Sequence, residues 1–277
     1  MIRIEDITYH YTGSRKNVFE NFSLTLTENN IYGLLGKNGT GKSTLLYLIS
    51  GLLHQQSGSI EVDGMESKKR NPEMLKEIFF VPEEFELPSI SLARYVELYS
   101  KFYPRFSEEV LTKCLSDFNL PLSLQLNTLS MGQRKKAFVS LALATQTKYL
   151  FMDEPTNGLD IPSKSQFRRV VANNMTDDRT LIISTHQVHD IEQLLDHILI
   201  LDNSRLLVNA PVADITSKYR FDLRAPQDMG NDVIYAEPSL QGNACITLRK
   251  EDDQETQLNL ELFFNAVISL DSEKIKI

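Results

Sequence analysis

The chain has 277 residues, of which 42% are hydrophobic and 24% are charged, a balance typical of folded globular proteins. This balance excludes a long disordered chain, and no apolar run approaches the roughly 18 residues that span a bilayer. A net charge of −8 argues against a basic nucleic-acid-binding surface, so no nucleic-acid partner is expected. Because the N-terminus lacks the pattern of a secretory signal, we expect a cytoplasmic protein that meets membranes only through a partner.

The N-terminal part of the chain predicts strands around one glycine-rich loop. Loose alternation over residues 2–9 predicts an edge strand, and an apolar run over residues 31–35 predicts a buried strand that stops at Gly36. A helix is predicted at residues 44–49, after the loop. Two further strand patterns lie at residues 22–26 and 60–62.

Residues from about 84 to 135 form a predicted helical insert. Apolar and aromatic residues recur there at helical spacing, in two stretches that Pro104 separates. Two interpretations remain open for these aromatic side chains. They form the core of the insert itself, or they present a docking surface for a partner.

Strands and helices alternate again after the insert, which predicts an α/β fold with a largely parallel sheet. A helix is predicted at residues 130–148, and buried strands are predicted at 149–152, 181–184 and 197–201. Residues 1–210 are therefore predicted to form the main domain, and residues 211–277 a small C-terminal accessory region. Within that region, the pattern predicts strands at 233–236 and 244–248 and a helix at 258–270.

One segment has the spacing of a phosphate-binding loop, G-x-x-x-x-G-K-[ST], between a predicted strand and a predicted helix. Glycines allow successive backbone N–H groups to face phosphate oxygens, and the start of the helix adds partial positive charge. Lys42 is predicted to reach the β- and γ-phosphates, and the Ser43 hydroxyl to be a magnesium ligand. The predicted nucleotide-binding residues of this segment are Gly36, Lys37, Asn38, Gly39, Thr40, Gly41, Lys42, Ser43 and Thr44.

Two adjacent carboxylates follow the strand predicted at residues 149–152. Asp153 is predicted to hold magnesium together with Ser43, through water, and Glu154 to polarise the water that attacks the γ-phosphate. Two acids are also common at ordinary strand ends. The phosphate-binding loop favours the catalytic interpretation of this pair.

Further motifs give residues 1–210 a resemblance to the ATP-binding subunit of ABC transporters. The sequence Leu129-Ser130-Met131-Gly132-Gln133 resembles the L-S-G-G-Q signature of that family and precedes the Asp153 strand, as it does there. The segment 157–160, Asn-Gly-Leu-Asp, resembles the one that crosses between paired subunits. His186 matches the switch histidine, and Tyr11 matches the aromatic residue that stacks on adenine. Each feature alone has an ordinary structural explanation, but their common order favours the family.

The resemblance implies both a fold and an activity. The implied fold is α/β: a P-loop NTPase sheet core with an N-terminal antiparallel β-subdomain and a helical insert, followed by a small C-terminal appendage. The implied activity is ATP hydrolysis that requires Mg2+ and powers transport through a separate membrane subunit. Glu154 and His186 are the implied catalytic residues.

The resemblance also implies partners. Ser130, Gly132 and Gln133 would bind the ATP held by a second ATP-binding subunit, with Asp160 near the same shared site, and a homodimer is expected. The helical insert would dock on an integral membrane permease subunit. The protein would then lie peripherally on the inner face of the cell membrane. The single cassette with its C-terminal tail resembles the exporter-like branch of the family.

Two positions depart from the family pattern. Met131 replaces the first glycine of the signature, while the backbone donors of Gly132 remain. Glu83 stands where the family has glutamine, at the point where a strand leads into the insert. We still count Glu83 among the nucleotide-site residues. An acid there adds negative charge close to magnesium and the γ-phosphate.

Two other functions are compatible with a phosphate-binding loop. A soluble ABC-type ATPase acting on ribosomes or nucleic acid is the main alternative, although such relatives usually carry two cassettes, a long coiled coil or zinc modules. A phosphate-loop kinase would have no use for the signature segment or for His186. Transport is therefore the preferred interpretation.

Overall fold

The computed structural model describes residues 1–250 and 252–270 as a mixed α/β protein. Among these residues, no helix has both the length and the apolar composition needed to cross a bilayer. The strands are β1 (Ile2–Tyr9), β2 (Phe19–Leu26), β3 (Ile31–Leu35), β4 (Ser57–Val62), β5 (Met65–Glu66), β6 (Ile78–Val81), β7 (Tyr149–Asp153), β8 (Thr180–Thr185), β9 (His197–Asp202), β10 (Arg205–Pro211), β11 (Tyr219–Arg224), β12 (Val233–Ser239) and β13 (Gly242–Leu248). The helices are α1 (Lys42–Ile49), α2 (Pro72–Leu75), α3 (Leu92–Tyr99), α4 (Glu108–Asp117), α5 (Met131–Ala144), α6 (Ile161–Asn174), α7 (Val212–Lys218) and α8 (Leu260–Ser269).

An antiparallel sheet of four strands, in the order β2-β1-β4-β5, forms the N-terminal β-subdomain. The prediction of an edge strand at residues 2–9 is wrong. Strand β1 lies inside this sheet, where Ile2 pairs with Leu26 on one side and with Val62 on the other. The alternation of one strand reports which face is buried but not how many neighbours it has, and β4 is remote in sequence.

A second sheet of six strands, in the order β10-β9-β3-β8-β7-β6, forms the centre of the molecule. Its strands are parallel except for β10, which pairs antiparallel with β9. Successive residues of β3 face opposite sides: Leu34 joins the core under the β-subdomain and α1, and Leu35 joins the core under α5 and α6. Parallel strands place their carboxyl ends at one edge, so β3, β7 and β8 present their following loops together.

The helical insert packs beside this sheet through α3 and α4, which contribute to the same core as α5. The predicted end of the insert, near residue 135, falls inside α5, which continues to Ala144. Helix α6, which the sequence analysis did not predict, begins with Asp160 as its N-cap and a proline in its first turn. Both are ordinary start signals for a helix.

The C-terminal region contains a three-stranded antiparallel sheet, in the order β11-β13-β12, covered by α8. The predicted strands at 233–236 and 244–248 and the predicted helix at 258–270 correspond to β12, β13 and α8, whereas α7 and β11 were not predicted. This region contacts the central domain directly: the N–H of Leu260 donates to Glu192 Oε1 at 2.7 Å. The division at residue 210 stays a prediction.

Candidate functional site

The loop between β3 and α1 has the conformation that its glycines permit. Gly39 and Gly41 have φ values of 83° and 101°, in the left-handed region that disfavours other residues. Lys42, which is 6% exposed, folds its ammonium group over the loop and donates to the carbonyl oxygens of Gly36 at 2.8 Å and Lys37 at 3.2 Å. The loop therefore surrounds a buried cation, as a binding site for phosphate requires.

Asp153 ends β7 directly beside the loop. Its carboxylate, 1% exposed, accepts a hydrogen bond from the Ser184 hydroxyl group and interacts with the hydroxyl group of Ser43. Burial raises the pKa of Asp153, the two hydroxyl groups oppose that shift, and the charges of Glu154 and Glu83 add to it. A buried carboxylate next to a hydroxyl group is a set of hard oxygen donors that suits Mg2+.

Glu154 is the most tightly held side chain of the site. Its Oε2 accepts from the Thr185 hydroxyl at 2.9 Å, and its Oε1 accepts from the His186 backbone N–H at 3.0 Å. The His186 Nδ1 atom lies 2.8 Å from the same Oε1, so the carboxylate assigns the ring hydrogen to Nδ1. Lys42 Nζ is 4.0 Å from Oε1. The carboxylate thus faces the loop cation and is 5% exposed.

A pocket of about 370 Å³ opens above these groups. Tyr11 stands at its rim, 43% exposed, and its hydroxyl lies 2.7 Å from the Thr44 hydroxyl. The ring of Tyr11 makes an edge contact with Tyr9, at 5.2 Å between centroids. The residues that line this pocket are Tyr11, Val18, Asn38, Gly39, Gly41, Lys42, Ser43, Thr44, Glu83 and Glu154.

Glu83 lines the same pocket from the opposite side. It follows β6 by two residues, is half-buried, and its Oε1 accepts from Asn157 Nδ2 at 2.8 Å. Burial lowers the pKa of Lys42, and the charges of Glu154, Asp153 and Glu83 oppose that shift. The carboxylate of Glu83 therefore belongs to the electrostatics of the site.

The signature segment starts helix α5 and does not line that pocket. Ser130 and Gln133 form a capping box: the Gln133 N–H donates to Ser130 Oγ at 3.3 Å, and the Ser130 N–H donates to Gln133 Oε1 at 3.1 Å. Gly132 lies close to Leu159, and Met131 lies so close to Gly158 that a Cβ atom there would be 3.0 Å from the Met131 sulfur. Met131 therefore packs the signature segment onto residues 157–160.

Asp160 is also outside the pocket. Its Oδ1 accepts from the Ser163 N–H at 2.9 Å and caps α6. Hydrogen bonds from Ser163 lower the pKa of Asp160, which keeps the capping group ionised. Within one chain, then, the structure brings together Tyr11, the phosphate-binding loop, Glu83, Asp153, Glu154 and His186, and leaves Ser130, Gly132, Gln133 and Asp160 on a separate surface.

Sequence reasoning missed three side chains that support the two acids. At the end of β8, the Ser184 hydroxyl group bonds Asp153 and the Thr185 hydroxyl group bonds Glu154. The sequence of β8 shows only the composition of a buried strand, so it does not indicate this role. Lys135 is 3% exposed and donates from Nζ to the backbone carbonyl of Glu154 at 2.8 Å. A lysine at an inward position of α5 was the available signal, because buried lysines are rare unless they have partners.

Comparisons with known proteins agree with this geometry. Residues 19–157 match the family model described as ABC transporter. The chain is 26% identical over 221 residues to the ABC transporter ATP-binding protein YtrB of Bacillus subtilis (strain 168), covering 79% of this chain and 75% of YtrB. It is 30% identical over 231 residues to the methionine import ATP-binding protein MetN of Carboxydothermus hydrogenoformans (strain ATCC BAA-161 / DSM 6008 / Z-2901), covering 78% of this chain and 67% of MetN.

The fold is shared with solved structures of the same class. The dimeric post-hydrolysis state of the ATP-binding cassette MJ0796, bound to ADP and Pi, superposes with a TM-score of 0.66 at 23% identity, covering 76% of this chain and 98% of that one. The chain belongs to the ABC transporter family. It is an ATP-binding subunit with ATPase activity that serves ATP-driven transport, and the alternative of an ABC-type ATPase acting on ribosomes or nucleic acid is set aside.

Proposed function

We propose that ATP binds in the pocket above the phosphate-binding loop and is hydrolysed there with Glu154 as the general base. The observation that carries this proposal is the fixed position of the Glu154 carboxylate, which Thr185 and His186 hold opposite Lys42. A base held within reach of a phosphate site can take a proton from the attacking water. His186, bonded to the same carboxylate, is proposed to orient it and to stabilise the γ-phosphate in the transition state.

The remaining loop residues are proposed to bind the nucleotide. The N–H groups of residues 36–44 face the phosphates, Lys42 exchanges its contacts with loop carbonyl groups for contacts with phosphate oxygens, and Tyr11 stacks on the base. Ser43 and Asp153 are the residues proposed to hold Mg2+, which would neutralise phosphate charge when bound. The interaction between the Ser43 hydroxyl group and the Asp153 carboxylate supports this pairing.

We further propose that two copies of this chain form the active unit. Ser130, Gly132, Gln133 and Asp160 lie outside the pocket of their own chain, which supports a site shared with the other copy. Ser130 is exposed at the start of α5, where free N–H groups and a hydroxyl group can bind a phosphate of the partner's ATP.

A docking groove for the membrane permease is proposed between the sheet and the helical insert. This groove has a volume of about 680 Å³, and its walls include Leu75, Phe80, Tyr99, Phe102 and Phe138. Phe102 is 66% exposed and lies against Tyr99, which is 41% exposed, so two large aromatic side chains are exposed together at this groove. We infer that the groove receives a cytoplasmic helix of a separate permease subunit, which would hold the protein on the inner face of the membrane. Export is the predicted direction of transport.

The variant Glu154→Gln tests the catalytic part of this proposal. The amide matches the acid in size but cannot accept a proton from water, so turnover falls by about 10²- to 10⁴-fold while ATP binding persists. We expect the variant to form a long-lived dimer in the presence of ATP and Mg2+, measured by size-exclusion chromatography with phosphate release as the activity assay. The matched control is Glu109→Gln, an exposed acid on α4. Turnover of Glu154→Gln near the wild-type rate would remove Glu154 from the mechanism.

A further inference from the structure

Lys135 is a buried cation directly beneath the Glu154 main chain. It lies in the second turn of α5, is 3% exposed, and its Nζ donates to the Glu154 carbonyl oxygen at 2.8 Å. Burial of a charged lysine side chain is unfavourable because its ammonium group loses contact with water, unless other groups bond and neutralise it. The groups around the ammonium group must therefore offset this cost.

The backbone of Glu154 has a conformation that needs support from its neighbours. Its φ is 44°, in the left-handed region that is costly for residues other than glycine. Both polar backbone groups of Glu154 are bonded: its N–H donates to the Ser184 carbonyl at 2.9 Å, and its carbonyl accepts from Lys135 Nζ at 2.8 Å and from the Asn157 N–H at 3.2 Å. These three bonds hold the residue in the conformation that points its carboxylate toward Thr185 and His186, and the shortest of them comes from Lys135.

The positive charge of Lys135 also interacts with the carboxylates of the site. Burial lowers the pKa of Lys135, and nearby carboxylates oppose that shift, with Glu83 first among them and Glu154 next. Glu83 and Lys135 also line one pocket of about 600 Å³, beside the nucleotide pocket. Lys42 supplies positive charge from the loop side, and Lys135 supplies it from below. The carboxylates of Glu83, Asp153 and Glu154 thus interact with both ammonium groups.

We propose that Lys135 is a positioning residue for ATP hydrolysis: it fixes the Glu154 main chain through its carbonyl and balances the charge of Glu83. The inference rests on the proposed role of Glu154 as the base. A purely structural lysine would affect folding and all steps of the cycle alike. A positioning residue affects the chemical step, because the base must be aligned in the transition state.

The test compares Lys135→Met, which removes both the donor and the charge, with Lys135→Gln, which keeps a donor on a shorter side chain. Loss of one charged hydrogen bond predicts that Lys135→Met lowers kcat by about 10- to 100-fold. The KM for ATP changes by less than about threefold, because the bond does not touch the nucleotide. Lys135→Gln retains more activity than Lys135→Met. The matched control is Lys136→Met, because the ammonium group of Lys136, the next residue of the same helix, bonds Gln166 of α6 and not the Glu154 carbonyl.

Two combinations separate the parts of the proposal. Adding Glu83→Gln to Lys135→Met restores at least about threefold of the lost turnover, because the unbalanced carboxylate is gone. Adding Lys135→Met to Glu154→Gln causes no further loss, because the base that Lys135 aligns is absent. A kcat for Lys135→Met within twofold of the wild-type value overturns the inference if Glu154→Gln is inactive. If Glu154→Gln retains turnover, the proposed function itself fails.

Discussion

Substitution of Ser130 separates two roles that one hydroxyl group combines. Ser130 caps α5 by accepting the Gln133 N–H at 3.3 Å, and it is proposed to bind the γ-phosphate held by the partner. Loss of a capping side chain costs about 0.5–2 kcal/mol. The typical cost is about 1 kcal/mol, and we use that value because the reciprocal bond from the Ser130 N–H to Gln133 completes the capping box. For a chain of this size, that loss corresponds to a decrease in Tm of about 2–4 °C.

Two variants distinguish the roles. Ser130→Ala removes both the cap and the phosphate donor, so its Tm falls by about 2–4 °C and its turnover falls strongly. Ser130→Asp keeps a capping oxygen and adds a negative charge that the start of a helix favours, so its Tm stays near the wild-type value. The same charge faces the γ-phosphate of the partner's ATP, so turnover falls at least as far as in Ser130→Ala.

The assays are thermal melting without nucleotide, phosphate release with ATP and Mg2+, and equilibrium dialysis of ATP with dilute monomer. Dialysis is expected to give unchanged binding for both variants, because Ser130 is remote from the pocket of its own chain. Wild-type turnover by Ser130→Asp would refute the phosphate role. A wild-type Tm for Ser130→Ala would refute the capping argument.

Three other substitutions have defined outcomes. Glu83→Gln keeps ATPase activity and shifts its dependence on magnesium concentration, since it removes a charge near the metal; identical titration curves would mean that Asn157 holds Glu83 away from the metal. His186→Ala lowers turnover by about 10²- to 10³-fold with little change in ATP affinity, as phosphate-release assays and binding titrations would measure; unchanged turnover would leave His186 a structural role. Asp153→Asn raises the Tm of the nucleotide-free protein, because burial raises the pKa of Asp153 and so disfavours the ionised form in the folded state. The same variant loses magnesium-dependent turnover, and a lower Tm would contradict the electrostatic argument.

The parts of the fold that the sequence predicted well depend on local signals. The apolar run at 31–35, the glycines of the loop and the helix that follows all agree with β3 and α1 within two residues. Each signal acts on neighbouring residues, so the sequence alone carries it. Strands that are buried on both faces have continuous apolar runs. The strands β7, β8 and β9 have such runs, and they were also predicted.

The parts that escaped prediction depend on contacts between distant segments. Strand β1 is an inner strand only because β4, which is remote in sequence, pairs with it. Strand β11 likewise pairs with β13, which follows it after β12. The supporting role of Lys135 arises only when α5 packs under the loop after β7, which places its Nζ against Glu154. Met131 is a similar case: its packing on Gly158 follows from the fold and not from the signature pattern.

The position of strand β8 determines where the two acids are held, because its last two residues bond them. All its residues are buried, and its register places Ser184 opposite Asp153 on one side and Thr185 opposite Leu35 on the other. Deleting one residue within this strand would turn the side chains on one side of the deletion to the opposite face of the sheet, so the hydroxyl groups of Ser184 and Thr185 would no longer meet the two acids. The length of β8 is therefore constrained by the chemistry at its carboxyl end, whereas a change in the turn before Thr180 would leave the positions of both hydroxyl groups unchanged.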